Sequence, residues 1–286
     1  MVQWGVENKT SPAVSVIIPV YNRYELLKEA AATVMSQSLT NIELIVVDDG
    51  STDMTSTIGL YYKNDPRFRY IKIEHSGMPG YVRNIGVKAA QGALIAFLDS
   101  DDLWMKDKLE KQAVFLKENP NIPLVHTRER WIRNGREVSQ KGQKYRRSGM
   151  IFTDALVKCI VGPSTVVLER ALFLEAGGFR EDLEIAEDYE LWLRITDRNE
   201  VGYIDEPLVT KRAGHGDQLS EKYGQIEIFR IRALLDLVEA NYFKGPHRGK
   251  AKEELARKCR IYAAGCRKRG KYEEGSQYEK LARRFR

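Results

Sequence analysis

Ala93-Leu94-Ile95-Ala96-Phe97-Leu98-Asp99-Ser100-Asp101-Asp102 is an apolar run that ends in three carboxylates within four residues. A run this short, bounded by Gly92 and a charge cluster, predicts a strand of a sheet covered on both faces. Three acids at a strand's end repel one another unless a cation or a donor network compensates them. Hard divalent cations favour oxygen ligands, and Mg²⁺ uses one or two carboxylates together with substrate phosphates. In open α/β sheets the ligand crevice lies outside the carboxyl ends of the strands. A metal–diphosphate site is therefore expected here, with Asp99 or Asp102 also available to cap the next helix.

Upstream, Val14 to Val20 is β-branched and reads as a first strand. Pro19 cannot donate to a ladder, so that strand should finish there, beside Tyr21-Asn22. A helix is expected over 25–37, from the stripe of Leu26, Leu27, Ala30, Ala31 and Val34. Ile42 to Val47 gives a second buried strand, running into Asp48-Asp49-Gly50-Ser51-Thr52-Asp53 and a helix over 54–64. A third strand is predicted over 68–74, then a helix from Pro79 to Ala90. This βαβαβαβ alternation with short connections predicts a mostly parallel sheet flanked by helices. Downstream, a helix over 106–119 ends at Pro120, and Leu124 to Ser139 reads as two strands around the hairpin dipeptide Asn134-Gly135. A basic loop is expected over 142–148. Further helices are expected over 153–160, 169–176, 187–197 and 220–242, with a strand over 165–168. Gly245-Pro246 then sets off a tail of two helices, 250–269 and 272–285, around Gly270.

With 43% hydrophobic and 30% charged residues, the 286-residue chain suits a globular protein with a substantial core. No window approaches the roughly 18 apolar residues of a membrane span. The first residues carry neither a basic nor an apolar signal region, and the three cysteines (Cys159, Cys259, Cys266) form no ligand-like pair. A cytoplasmic location is expected. The net charge of +6 divides unevenly: Phe243 to Arg286 hold 15 Lys/Arg against 5 Asp/Glu, a local +10, which leaves −4 for the remainder. Such a tail can contact an anionic membrane surface peripherally, or only water. Without interleaved aromatics or a known motif, no nucleic-acid partner is expected.

Four blocks carry chemistry: Pro19-Val20-Tyr21-Asn22-Arg23, Asp48 to Asp53, the acids at 99–102, and Glu187-Asp188 leading a helix. The first three sit at strand ends that can open on one crevice. Tyr21 offers a nucleobase a stacking face, and Asp48 an acceptor for ring N–H groups; turn and cap chemistry is the alternative for the Asp48 block. Arg83 is a candidate nucleotide contact. His215, in a polar loop bracketed by Gly214 and Gly216, can complete a metal shell. No GxGxxG or GxxxxGK[ST] follows the first strand, and no glycine lies in that loop, which argues against dinucleotide, NTPase and nucleotidyltransferase sites.

Together the motifs closely resemble the family 2 glycosyltransferases of GT-A fold, over about Val14 to Ser220. The matching phrases are Val14 to Asn22, Asp48 to Asp53, Arg83-Asn84-Ile85-Gly86, Phe97 to Asp102, Gly177-Gly178-Phe179 and Glu187-Asp188. The resemblance implies a GT-A-type, Rossmann-like domain over 13–220, with an N-terminal arm (1–12) and a C-terminal helical appendage (221–286). Residues 13–104 would bind a nucleotide-diphosphate sugar, UDP-linked in the expected case, and 105–220 the acceptor. Pro19, Tyr21, Asn22, Asp48, Arg83, Asp99 and Ser100 would contact the donor, with Asp48 on the base and Asp99 on the ribose. Asp101 and His215 would hold Mn²⁺ or Mg²⁺, and Asp188 would be the catalytic base of an inverting transfer. The acceptor would be a glycan, a lipid-linked sugar or a protein, in cell-surface polysaccharide or glycan synthesis. The alternative is a catalytically weak nucleotide-sugar or glycan-binding module docking through its basic tail. A degenerate enzyme commonly loses its metal or base acid, and here both Asp101 and Asp188 are present.

Overall fold

The computed structural model describes residues 11–138, 148–214 and 224–285. Most of the N-terminal arm, the basic loop up to residue 147, and His215 lie outside the described residues.

The first half is the expected alternation. Strands β1 (Val14–Val20), β2 (Ile42–Asp48), β3 (Phe68–Lys72) and β4 (Leu94–Phe97) pair in parallel in the order β3-β2-β1-β4. They are linked by α1 (Tyr24–Met35), a 3₁₀ turn over Met54–Thr57 that runs into the short α2 (Ile58–Tyr61), and α3 (Pro79–Ala89). Each strand divides its residues between two cores, as the period of two requires. Val14, Val16 and Ile18 of β1, Leu44 and Val46 of β2, and Ala96 of β4 face one core with Leu27 and Val34 of α1. Ile17, Ile45, Val47, Ile95 and Phe97 face the other, under Val82 and Val87 of α3. Gly86 lets α3 settle there, since a Cβ at that position would lie 2.4 Å from Ile17.

The second half adds strands of mixed direction. After β5 (Leu103–Trp104) and α4 (Lys108–Glu118) come β6 (Leu124–Arg133), β7 (Arg136–Val138), α5 (Phe152–Val157), β8 (Val167–Glu169), α6 (Arg170–Glu175), α7 (Glu187–Thr196) and β9 (Gly202–Ala213). The sheet continues from β4 as β8-β6-β9-β5, with β7 paired to β6. Asn134 and Gly135 join β6 to β7 with φ of 49° and 73°, the two positive values a tight hairpin turn needs. Strand β9 has no counterpart in the sequence reading. Asp205-Glu206-Pro207 interrupts its apolar pattern, and the register with β6 slips there, where a bulge tolerates proline.

Helices α8 (Ile226–Glu239), α9 (Gly245–Lys268) and α10 (Tyr272–Arg283) close a third core. Leu234 and Leu255 pack there with Phe152 and Leu156 of α5 and Tyr189 and Leu193 of α7. Lys258 of α9 is buried and reaches back, donating to the Val157 carbonyl at 3.0 Å and pairing with Glu227 at 2.6 Å. Gly245-Pro246 opens α9 rather than ending the chain's packing: proline suits the first turn, where its missing N–H goes unused. No helix among the described residues is long and apolar enough to cross a membrane.

Candidate active site

The C-terminal ends of β1, β2 and β4 open side by side. At the end of β1, Asn22 takes the left-handed conformation (φ 49°). Its amide donates to Ser51 Oγ and its Oδ1 accepts from the Thr52 amide, both at 2.8 Å, which staples this turn to the loop after β2. Asp48 is fully buried; its carboxylate accepts from the Ser51 amide at 2.8 Å and from the Tyr70 hydroxyl. Burial and the Asp48 charge push the Tyr70 hydroxyl far above its ordinary range, so it stays a donor. Asp49 gathers the Ser76 and Gly77 amides at 2.8 and 2.9 Å and lies 3.0 Å from His75 Nδ1. The exposed Tyr21 ring stacks on His75 with centroids 4.0 Å apart. Half-buried Pro19 lies in register with Val47 just below this edge.

Past β4 the acids are compensated by cations from distant parts of the chain. Asp99 pairs with Arg83 at 2.7 Å and Lys211 at 3.5 Å, and its amide donates to Ser164 Oγ at 3.1 Å. Burial alone would raise this carboxyl, but Arg83 and Lys211 outweigh it and hold it at about 2. Ser100 is buried, and Asp101 lies 3.2 Å from Arg23. Asp102 accepts from Ser164 Oγ at 2.6 Å and faces Lys211 at 2.9 Å. Burial, with the Asp101 and Asp99 charges, raises it to about 7 despite that lysine. Lys211 comes from β9, and its ammonium lies 5.8 Å from the centre of the Trp131 ring.

Across the crevice, α7 brings Glu187-Asp188 against α3. The close approach needs Gly80, where a Cβ would lie 2.4 Å from the Arg180 carbonyl and 3.3 Å from Glu187 Cγ. Asn84 holds the Phe179 backbone on both sides, donating at 2.8 Å and accepting at 3.0 Å. Arg194 of α7 clasps the Gly178 carbonyl at 2.6 Å. Arg83 is buried and bridges the two halves, with Asp99 on one limb and Glu187 at 2.5 Å on the other. Its Nε has no hydrogen-bond partner among the described residues. Burial raises the Glu187 carboxyl to about 7; Arg83 opposes the rise and Asp188 adds to it. Asp188, half-buried, accepts from the Tyr189 amide at 2.6 Å, and its Oδ2 lies 3.4 Å from Cys159 Sγ.

The structure thus gathers Tyr21, Asn22, Asp48, Asp99, Ser100 and Asp101 along the ends of neighbouring strands, and ties Arg83 to both halves. Lys211, Ser164 and the Arg83–Glu187 pair are absent from the sequence reading. No group of three or more His, Cys, Asp or Glu side chains that could hold a metal occurs among the described residues. Asp101 at the end of β4 is a carboxylate oxygen donor of the kind a hard divalent cation takes, while His215 lies outside the described residues.

A partly parallel sheet with acids at its strand ends, faced by carboxylates at a helix start, has the build of the GT-A glycosyltransferases. Among solved structures, S. aureus TarS in complex with UDP-GlcNAc aligns with a TM-score of 0.72 at 24% identity, covering 88% of this chain and 72% of that one. The mannosyltransferase PcManGT of Pyrobaculum calidifontis, in complex with GDP-Man and Mn²⁺, aligns at 0.63 and 19%, over 94% and 74%. The chain belongs to glycosyl transferase family 2, whose profile matches residues 15–174. It is 34% identical over 192 residues to the Escherichia coli UDP-Glc:alpha-D-GlcNAc-diphosphoundecaprenol beta-1,3-glucosyltransferase WfgD, covering 67% of this chain and 73% of that protein. It is 31% identical to the putative teichuronic acid biosynthesis glycosyltransferase TuaG of Bacillus subtilis, over 74% and 83%. Against an uncharacterized glycosyltransferase of Rickettsia felis it reaches 39% over 71% of this chain, but spans only 33% of that protein's length.

Proposed function

We propose that the chain is a metal-dependent, inverting glycosyltransferase that moves a sugar from a UDP-linked donor to an acceptor hydroxyl in cell-surface polysaccharide synthesis. The observation that carries this reading is the Arg83 bridge, which joins the strand-end acid Asp99 to Glu187, next to Asp188. Relatives named for polysaccharide and lipid-linked sugar chemistry support it.

In this reading residues 13–104 bind the donor and 105–220 the acceptor. Tyr21 stacks on the base beside Pro19 and Asn22. Asp48, whose oxygens are engaged by Ser51 and Tyr70, serves base recognition through the loop it shapes. Asp99, held ionised, accepts from ribose hydroxyls, with Ser100 beside it. Asp101 and His215 would hold Mn²⁺ or Mg²⁺, which when bound neutralises the charge of the departing diphosphate. Asp188 takes the acceptor's proton; the acceptor oxygen forms the new bond to the anomeric carbon from the side opposite the diphosphate. The carbon's bond to the diphosphate oxygen breaks with its electron pair, and a single displacement without an enzyme nucleophile inverts the centre. The acceptor is a lipid-linked sugar, and the chain works peripherally at the cytoplasmic face of a membrane.

The test is a panel of nucleotide sugars with Mn²⁺, scored for hydrolysis and transfer, with thermal stabilisation by each nucleoside diphosphate alongside. UDP release with an inverted product is the expected result. Nucleotide binding without any turnover would leave a binding module and remove the enzyme reading.

A further inference from the structure

Folding sorts the charges of the C-terminal hairpin. Along α9 and α10 three of the five acids turn to local partners: Glu254 to Arg257 at 2.7 Å, Glu274 to the Tyr262 hydroxyl at 2.6 Å, and Glu279 to Arg267. The inner face of α9, with Leu255, Cys259 and Tyr262, is buried in the third core. What remains outward is mostly basic, with Glu253 and Glu273 the exposed acids. Arg248, Arg260, Lys268, Lys280 and Arg283 are exposed, and none makes an ion pair among the described residues. Arg260 and Arg283 approach each other across the hairpin and, with Glu279 and Ala282, line one shallow pocket. Glu279 is already paired with Arg267, so the pocket presents two uncommitted guanidinium groups. Two large apolar side chains also stand out of this hairpin, Ile261 at 55% exposure and Tyr272 at 70%.

We infer that the outer face of the α9–α10 hairpin docks on an anionic lipid bilayer, with a headgroup phosphate seated between Arg260 and Arg283. Guanidinium forks match phosphate oxygens, and two forks on separate helices fix the seat. Lys268 lies eight residues beyond Arg260 on the same helix, about 12 Å along its axis, so the contact spans more than one headgroup. Ile261 and Tyr272 supply the apolar contact that purely electrostatic adsorption lacks. Charge complementarity selects the occupant: the segment from Phe243 carries a local +10 while the rest of the chain is net negative, so this face is the one an anionic leaflet attracts. The inference rests on the reading that the chain works at a membrane, and names the surface that does it.

The test uses the full chain in flotation with vesicles of phosphatidylcholine containing phosphatidylglycerol, against phosphatidylcholine alone. Selective binding to the anionic vesicles, weakened by salt, is expected. Each basic side chain near such a surface is worth about fivefold in partitioning, so the double variant Arg260→Gln, Arg283→Gln should bind about 30-fold more weakly. Both side chains are exposed and remote from the crevice, so the variant's melting temperature and donor hydrolysis in solution should match the parent's. Equal binding to both vesicle types, an unchanged double variant, or complete displacement by a duplex oligonucleotide would overturn the inference. Vesicle binding without any donor hydrolysis would sink the catalytic reading and leave this surface standing.

Discussion

Replacing Glu187 by glutamine probes the joint between the two halves and has a signature in pH. In the fold the Glu187 carboxyl is raised from 4.5 to about 7, chiefly by burial. The unfolded chain therefore sheds this proton first. Between pH 4.5 and 7 the folded state holds a proton that the unfolded state has lost, so this group lowers stability as pH rises across that window. Below pH 4.5 both states are protonated and the contribution vanishes. A full displacement of this size corresponds to about 3 kcal/mol at roughly 1.36 kcal/mol per unit, an upper bound because Glu187 is buried and coupled to its charged neighbours. The Glu187→Gln variant has no such proton, so its melting curves should gain on the parent's by roughly 5–10 °C between about pH 4.5 and 7.5. Losing one counter-ion of Arg83 offsets part of the gain at the upper end, where Asp99 stays paired with it and the Asp188 charge still acts on it. Circular dichroism melts of both proteins at several pH values make the measurement. A constant offset across the window would refute the buried, raised Glu187 on which the argument depends.

Asp188→Asn should keep donor affinity while turnover falls about 10²–10⁴-fold, measured as kcat and donor Kd on one sample; near-normal turnover would remove Asp188 from the mechanism. Asp101→Asn should abolish the Mn²⁺-dependent part of UDP binding in calorimetry, and an unchanged metal response would remove Asp101 as the ligand. A chain ending at Tyr242 should be markedly less stable in urea, since it strips Leu255, Cys259 and Tyr262 from a core shared with Tyr189, at about 1.5–3 kcal/mol for each large apolar side chain; an unchanged urea midpoint would show that α5 and α7 pack without it.

Strands β1, β2 and β4 were legible because sheets covered on both faces need near-continuous apolar runs, and each run here ends in its own polar block. The Asn134-Gly135 turn was legible for a similar reason: two positive φ values leave few residue choices. Strand β9 was not, because its bulge at Asp205-Glu206-Pro207 breaks the period that reveals a strand. With β9 went Lys211, whose ammonium reaches Asp102 from more than a hundred residues away and leaves no local trace in the sequence. Arg83 was legible as a basic residue on a helix. Its place between acids of both halves depends on how Gly80 lets α7 approach, a contact between residues about a hundred positions apart.

Backbone strain falls at the same joint. Four non-glycine residues have positive φ among the described residues: Asn22, Asn134, Ala186 and Asn241. Three are asparagine, which adopts this conformation readily because its side chain can bond locally. Ala186 has no such side chain, and its φ of 70° costs about 1–2 kcal/mol. It stands immediately before Glu187-Asp188, where a helix could equally have begun from an ordinary extended residue. The left-handed step starts α7 where Glu187 meets Arg83 and Asp188 sits beside Cys159. What keeps it in place is the clasp on either side: Asn84 on the Phe179 backbone, Arg194 on Gly178, and the buried Tyr189 ring, whose hydroxyl donates to Leu156 at 2.7 Å. Strain of this kind persists only where surrounding contacts over-determine it, and such places cluster at functional sites. The helix start carrying the candidate base is thus held against its own backbone preference by contacts on both sides.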